Sequence, residues 1–123
     1  MLATYIVWIL LVSGAVTAGG GLAAFLAPHL FLRFGFGVER PESALLFFVR
    51  HWGVLIIAVA ALIVYCAYVP SARAPVLVAG AAEKFAMGIF AFFGPLKRTS
   101  GMTAIAIVDG IFAVLYVLYL AGL

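Results

Sequence analysis

Five ionisable residues stand inside apolar sequence: Arg50 and His51 in FFVRHWGVLII, Glu83 and Lys84 in AAEKFAMG, and Asp109 in IVDGIF. With Trp52 beside them, these groups could do three kinds of chemistry. A guanidinium or ammonium can donate to a carbonyl oxygen. A carboxylate or an imidazole can exchange a proton, the imidazole near neutral pH. An indole can wall a flat apolar ligand. Such groups are scarce elsewhere, because only 9% of the 123 residues are charged and 68% are hydrophobic. A soluble domain carries roughly 25% charged residues, and a mean hydropathy of +1.34 leaves too little polar surface to face water. The lipid bilayer is therefore the expected solvent, and an integral membrane protein the expected class.

A helix needs about 20 apolar residues to cross the hydrocarbon. Four runs approach that length, at about 3–27, 44–69, 76–93 and 102–120. Between them lie Pro28, Pro41-Glu42-Ser43, the Pro70–Pro75 stretch, and Gly94-Pro95 through Ser100-Gly101. Short connections force neighbours to run antiparallel, so the expected fold is all-α, one membrane domain over 1–123 built as an up-down four-helix bundle. The runs do not alternate as barrel strands would. Segment 28–43 is too short to cross; its phenylalanines beside Arg33 suit an interfacial position, and His29 lies there with no special role expected. The first run has no basic leader and exceeds a signal peptide's apolar region, so it reads as a retained span. Ser13, Gly14, Thr17, Ala18, Gly20 and Gly21 in it suit close helix packing, with a glycine-rich wall beside a cavity as the alternative. Tyr5, Trp8, Tyr116 and Tyr119 fall near span ends, as an aromatic belt would.

The loops 28–43 and 94–101 hold Arg33, Arg40, Lys97 and Arg98, whereas Arg73 stands alone on the other side. The positive-inside rule then puts those loops in the cytoplasm and both termini outside. A net charge of +3 without a basic stripe argues against nucleic acid. The single Cys66 excludes an internal disulfide and reads as a packed thiol.

Helical rise converts these positions into depths. Arg50 and His51 fall about 9–10 Å inside the cytoplasmic end, Asp109 about 10 Å, and Glu83 and Lys84 about 13–15 Å. Each would cost about 2.5–3.5 kcal/mol alone at a span's centre. Gathered inside the bundle, Arg50 and Lys84 could neutralise Glu83 and Asp109 and leave His51 free to titrate. Buried ion pairs often only break even against apolar replacements. Retention of five such residues therefore points to a ligand site made of Arg50, His51, Trp52, Glu83, Lys84 and Asp109. Structural pairing, and snorkelling of Arg50 to the headgroups, are the bland alternatives.

The layout resembles the DoxX-like small bacterial membrane proteins. The resemblance rests on four short-looped spans, Phe48-Val-Arg-His-Trp-Gly53, Pro70-Ser-Ala-Arg-Ala-Pro75, Glu83-Lys84, and Asp109 ahead of Tyr116-Val-Leu-Tyr119. It implies the bacterial inner membrane and a quinone-facing or accessory redox role; it transfers no catalytic residue. Small multidrug exporters fit less well, since no acid lies between Met1 and Val38, and membrane glutathione transferases less well again, since the chain has no asparagine.

Three functions follow from these residues. The first is binding of a quinone or similar amphipathic molecule, with electrons handled by another subunit. The second is a proton-coupled transporter in which Glu83 or Asp109 titrates, working as a dimer. The third is a non-catalytic accessory or assembly subunit of a larger complex, as a homo-oligomer or beside other chains. Haem is disfavoured, because His29 lies too near the interface to partner His51. No metal site is expected.

Overall fold

In hydrocarbon a backbone N–H has no water to bond, so each long apolar run closes its hydrogen bonds within itself as a helix. The computed structural model describes residues 1–123. Helix α1 is Leu2–Leu26, α2 Pro28–Phe36, α3 Ser43–Tyr68, α4 Arg73–Phe93 and α5 Ser100–Leu120, with a 3-10 turn at Pro70–Ala72 before α4. Four helices, α1, α3, α4 with its leading turn, and α5, are long and apolar enough to cross a membrane. The fold is an all-α, four-helix membrane bundle with one short extra helix.

Two boundaries differ from the sequence expectation. Helix α4 starts at Arg73 and not Val76, because Pro75 sits in the first turn, where its missing N–H would have no intrahelical partner anyway. Segment 28–43 contains a true helix, α2. Pro28 and Leu32 are its buried face, while His29, Leu30 and Phe34 point outward. Gly37, at φ 72°, ends α2 in the left-handed region, with its N–H and that of Val38 returning to Arg33 and Leu32.

The bundle is two antiparallel pairs, α1 on α3 and α4 on α5, with sparser contact between the pairs. Small residues explain the first pair. A Cβ added to Gly53 would lie 2.7 Å from the Gly21 carbonyl oxygen and 2.9 Å from the Phe25 nitrogen, so the two backbones touch there. Nearer the termini Gly14 makes room for the Val64 side chain, whose Cγ2 would lie 2.6 Å from an added Cβ. At that end Ile6, Leu10, Ile63, Leu77 and Tyr116 form the main core.

Tyr116 is a correction to the aromatic belt. Tyr5 and Trp8 are exposed as a belt requires, but Tyr116 is fully buried. Its hydroxyl donates to Ser13 Oγ, which in turn donates to the Leu10 carbonyl, so α5 is tied to α1. Arg73 is also more than a loop charge. Its guanidinium donates to the carbonyls of Cys66 (2.9 Å) and Ala67 (2.8 Å) and to the Tyr119 hydroxyl (3.3 Å). It thereby satisfies two of the carbonyls that the end of α3 leaves without intrahelical partners.

At the opposite end Thr99 caps α5, accepting from the Met102 N–H at 3.1 Å, and donates to the Gly35 carbonyl at 2.6 Å. A Cβ on Gly101 would strike the Phe34 and Gly35 carbonyl oxygens at 2.6 and 2.7 Å. The end of α2 is thus held directly against the start of α5.

Candidate functional site

Three polar side chains meet between the two helix pairs. Thr17 lies nine residues from the end of α1 at Leu26, Lys84 nine from the end of α4 at Phe93, and Asp109 nine from the start of α5 at Ser100. The common spacing puts all three about 13–14 Å from the α2 end, near the middle of a core about 30 Å thick. Depth alone would not make them meet; the helix faces must also agree. Lys84 follows the buried run Leu77, Gly80 and Ala81 at helical spacing, so its stem turns inward with that face.

The Lys84 side chain is only 1% exposed. Its ammonium donates to Thr17 Oγ1 at 2.8 Å and to Asp109 Oδ1 at 3.1 Å. The Phe112 ring centroid lies 5.8 Å from Nζ, within cation–π range. Glu83 Oε2 is 3.9 Å from the same nitrogen, too far for a hydrogen bond, and it is buried without any partner. Two carboxylates therefore share one ammonium, and one buried carboxylate oxygen is left without a hydrogen-bond donor.

The Glu83 side chain, 26% exposed as a whole, also lines a cavity of about 530 Å³, although its Oε2 is itself sealed from solvent. All five helices contribute: Thr17 and Gly20 from α1, Phe31 and Phe36 from α2, Trp52 and Ile56 from α3, Met87 and Phe90 from α4, Ile105 and Val108 from α5. Glu83, Lys84 and Asp109 form its polar end, and the remainder is largely apolar. Phe31 packs at a tilt 5.4 Å from Trp52 and 5.5 Å from Phe36, so three aromatic rings form a connected part of the apolar wall. The volume falls in the range of small-molecule sites, roughly 300–1,000 Å³.

Of the six residues expected to form the site, the structure brings Trp52, Glu83, Lys84 and Asp109 to this cavity and leaves out two. Arg50 and His51 lie on the exposed face of α3, with no hydrogen bond or ion pair to the cluster. The reason is angular. Val49, Gly53 and Ile56 are the buried stripe of α3, and one residue past Val49 the helix has turned by about 100°. His29 is exposed as well. Lys84 takes the place the expectation gave to Arg50 as the partner of Asp109.

For Thr17 the cavity-wall alternative applies, and the contact not expected from sequence is its role as acceptor for the Lys84 ammonium. A signal was available: Ser13 and Thr17 are the two hydroxyl residues one helical turn apart in α1, and both face inward. Both readings of the small residues in α1 hold in part, since Gly14 and Gly21 pack on α3 and Gly20 lines the cavity. No known protein family, curated protein or solved structure matches the chain.

Proposed function

We propose that this membrane protein binds an amphipathic small molecule of the quinone or quinol type, with its polar head at Glu83, Lys84 and Asp109. The observation that carries the reading is the meeting of Glu83, Lys84 and Asp109 at one end of an otherwise apolar, aromatic-walled cavity. A ligand hydroxyl can donate to the exposed part of the Glu83 or Asp109 carboxylate, and its aromatic ring would lie among Phe31, Phe36 and Trp52. Two carboxylates against one ammonium disfavour an anionic head. The reading accords with the DoxX-like resemblance and with a role beside a redox partner that handles the electrons.

The protein's orientation belongs to the same proposal. Arg33, Arg40, Lys97 and Arg98 gather at the α2 end, while Arg73 at the other end is occupied by the carbonyls of α3. The α2 end then faces the cytoplasm of a bacterial inner membrane, with both termini outside. Reporter fusions at each terminus report the side directly.

Binding is tested by titrating purified protein with a short-tailed ubiquinone analogue and its reduced form while following tryptophan fluorescence. Glu83→Gln keeps the shape but weakens the acceptor for a hydroxyl. The quinol should lose about tenfold in affinity, about 1.4 kcal/mol, while thermal unfolding stays near that of the parent. Unchanged binding in Glu83→Gln, or no binding by the parent, would leave the cluster as a structural device that fixes helix register.

A further inference from the structure

A second cavity, of about 340 Å³, lies beyond the aromatic end of the first. Its wall contains only apolar residues, among them Leu32, Val49 and Leu96. Phe31, Phe36 and Trp52 border both cavities, so the two are separated by the thickness of three side chains. Those rings meet at tilted angles of 49° and 37°, not in a flat stack, and two of the three sit on the short helix α2. Side chains of this kind change rotamer far more readily than a helix moves.

On this basis we infer that the second cavity is a tail subsite: it takes the apolar chain of the same ligand whose head lies at Glu83, Lys84 and Asp109. The inference rests on the proposed ligand reading and adds to it the class of molecule, a lipid-like compound with an extended hydrocarbon or isoprenoid tail. The first cavity accounts for the ring and the start of the tail. The aromatic partition yields, and the tail continues past it beneath α2 toward Leu96. A polar tail is excluded, because the second cavity offers no donor or acceptor. The head is then the deep end of the ligand and the tail end the one nearest the loops.

Length dependence tests this. The probes are tetramethylbenzoquinone, which has no tail, and a decyl-tailed ubiquinone analogue, titrated into protein in lipid nanodiscs and compared at equal concentration within the bilayer. The decyl compound should bind the parent about tenfold more tightly. Leu45→Trp and Leu96→Trp fill the second cavity from residues that do not line the first. Each should abolish the gain from the tail and leave the affinity for the tailless compound unchanged. Both residues are exposed, so at least one of the two variants is expected to fold like the parent. If the tailless compound binds and both fillers leave the decyl advantage intact, the second cavity takes something else, such as a bulk lipid chain, and the inference falls while the ligand site stands. If neither compound binds the parent, the ligand reading itself fails and takes the tail subsite with it.

Discussion

The contact between α1 and α3 and the gap between that pair and α4–α5 lie at similar depth, yet they are built oppositely. On one side of α1, Gly21 lets the backbone of α3 come within touching distance at Gly53, and nothing polar is enclosed. On the adjoining strip, Gly20 borders an open volume and Thr17 holds the ammonium that, with two carboxylates, forms its polar end. Lipid gives no hydrophobic drive for helices to associate, so close van der Waals packing must hold the bundle. The comparison teaches that the glycine seam supplies this packing, which allows the neighbouring strip of the same helix to remain unfilled. A site and its support are thus one to four residues apart on one helix.

Substitutions can break this contrast, and the largest effect should come from the polar side. Lys84→Met leaves Asp109 and Glu83 enclosed without a cation and should lower stability by about 3–5 kcal/mol. Denaturant unfolding in detergent micelles measures it. Combining Lys84→Met with Glu83→Gln and Asp109→Leu should recover most of that loss, since replacing a whole buried ionic group is often neutral. A combination as unstable as Lys84→Met alone would mean that the cluster holds the helices together. Next in size is Gly53→Ala, whose new methyl meets backbone that cannot yield, at a cost of about 1–3 kcal/mol. Tyr116→Phe removes the hydroxyl bonded to Ser13 and should cost about 0.6 kcal/mol, the average for an interhelical hydrogen bond in a membrane, and no more than about 1.7 kcal/mol. The smallest effect sharpens the comparison most. Gly19→Ala, two residues from Gly21, has nothing within 4 Å of the added carbon and should gain about 0.5 kcal/mol from reduced chain entropy. Gly21→Ala in the same assay should destabilise, and a common sign for the two would show that the seam is not tight.

The fold class was legible because apolar run length and proline punctuation are one-dimensional signals. Depth was legible too, since rise per residue is fixed; Lys84 and Asp109 were expected near one level, and they touch. Azimuth was not. Helices apolar nearly all round have no polar stripe to mark an outward face, so Arg50 and His51 could not be told from Trp52, which lies one to two residues on and reaches the cavity. The same ambiguity hid Tyr116, whose place near a span end resembled a belt residue, and Thr17, whose small size resembled packing. Arg73 was counted as a topology charge because nothing in the order of residues reveals that its side chain turns back on the preceding helix.

The joint between Gly35 and Thr99 has a mechanical meaning. Because α2 is pinned at its far end to the first residues of α5, it cannot swing open as a free flap. Whatever displaces Phe31 and Phe36 while that joint holds must either rotate those rings in place or shift α5, the helix that carries Asp109. In the second case, occupancy at one end of the molecule would be carried to the ionic cluster at its middle, with α5 as the arm between them.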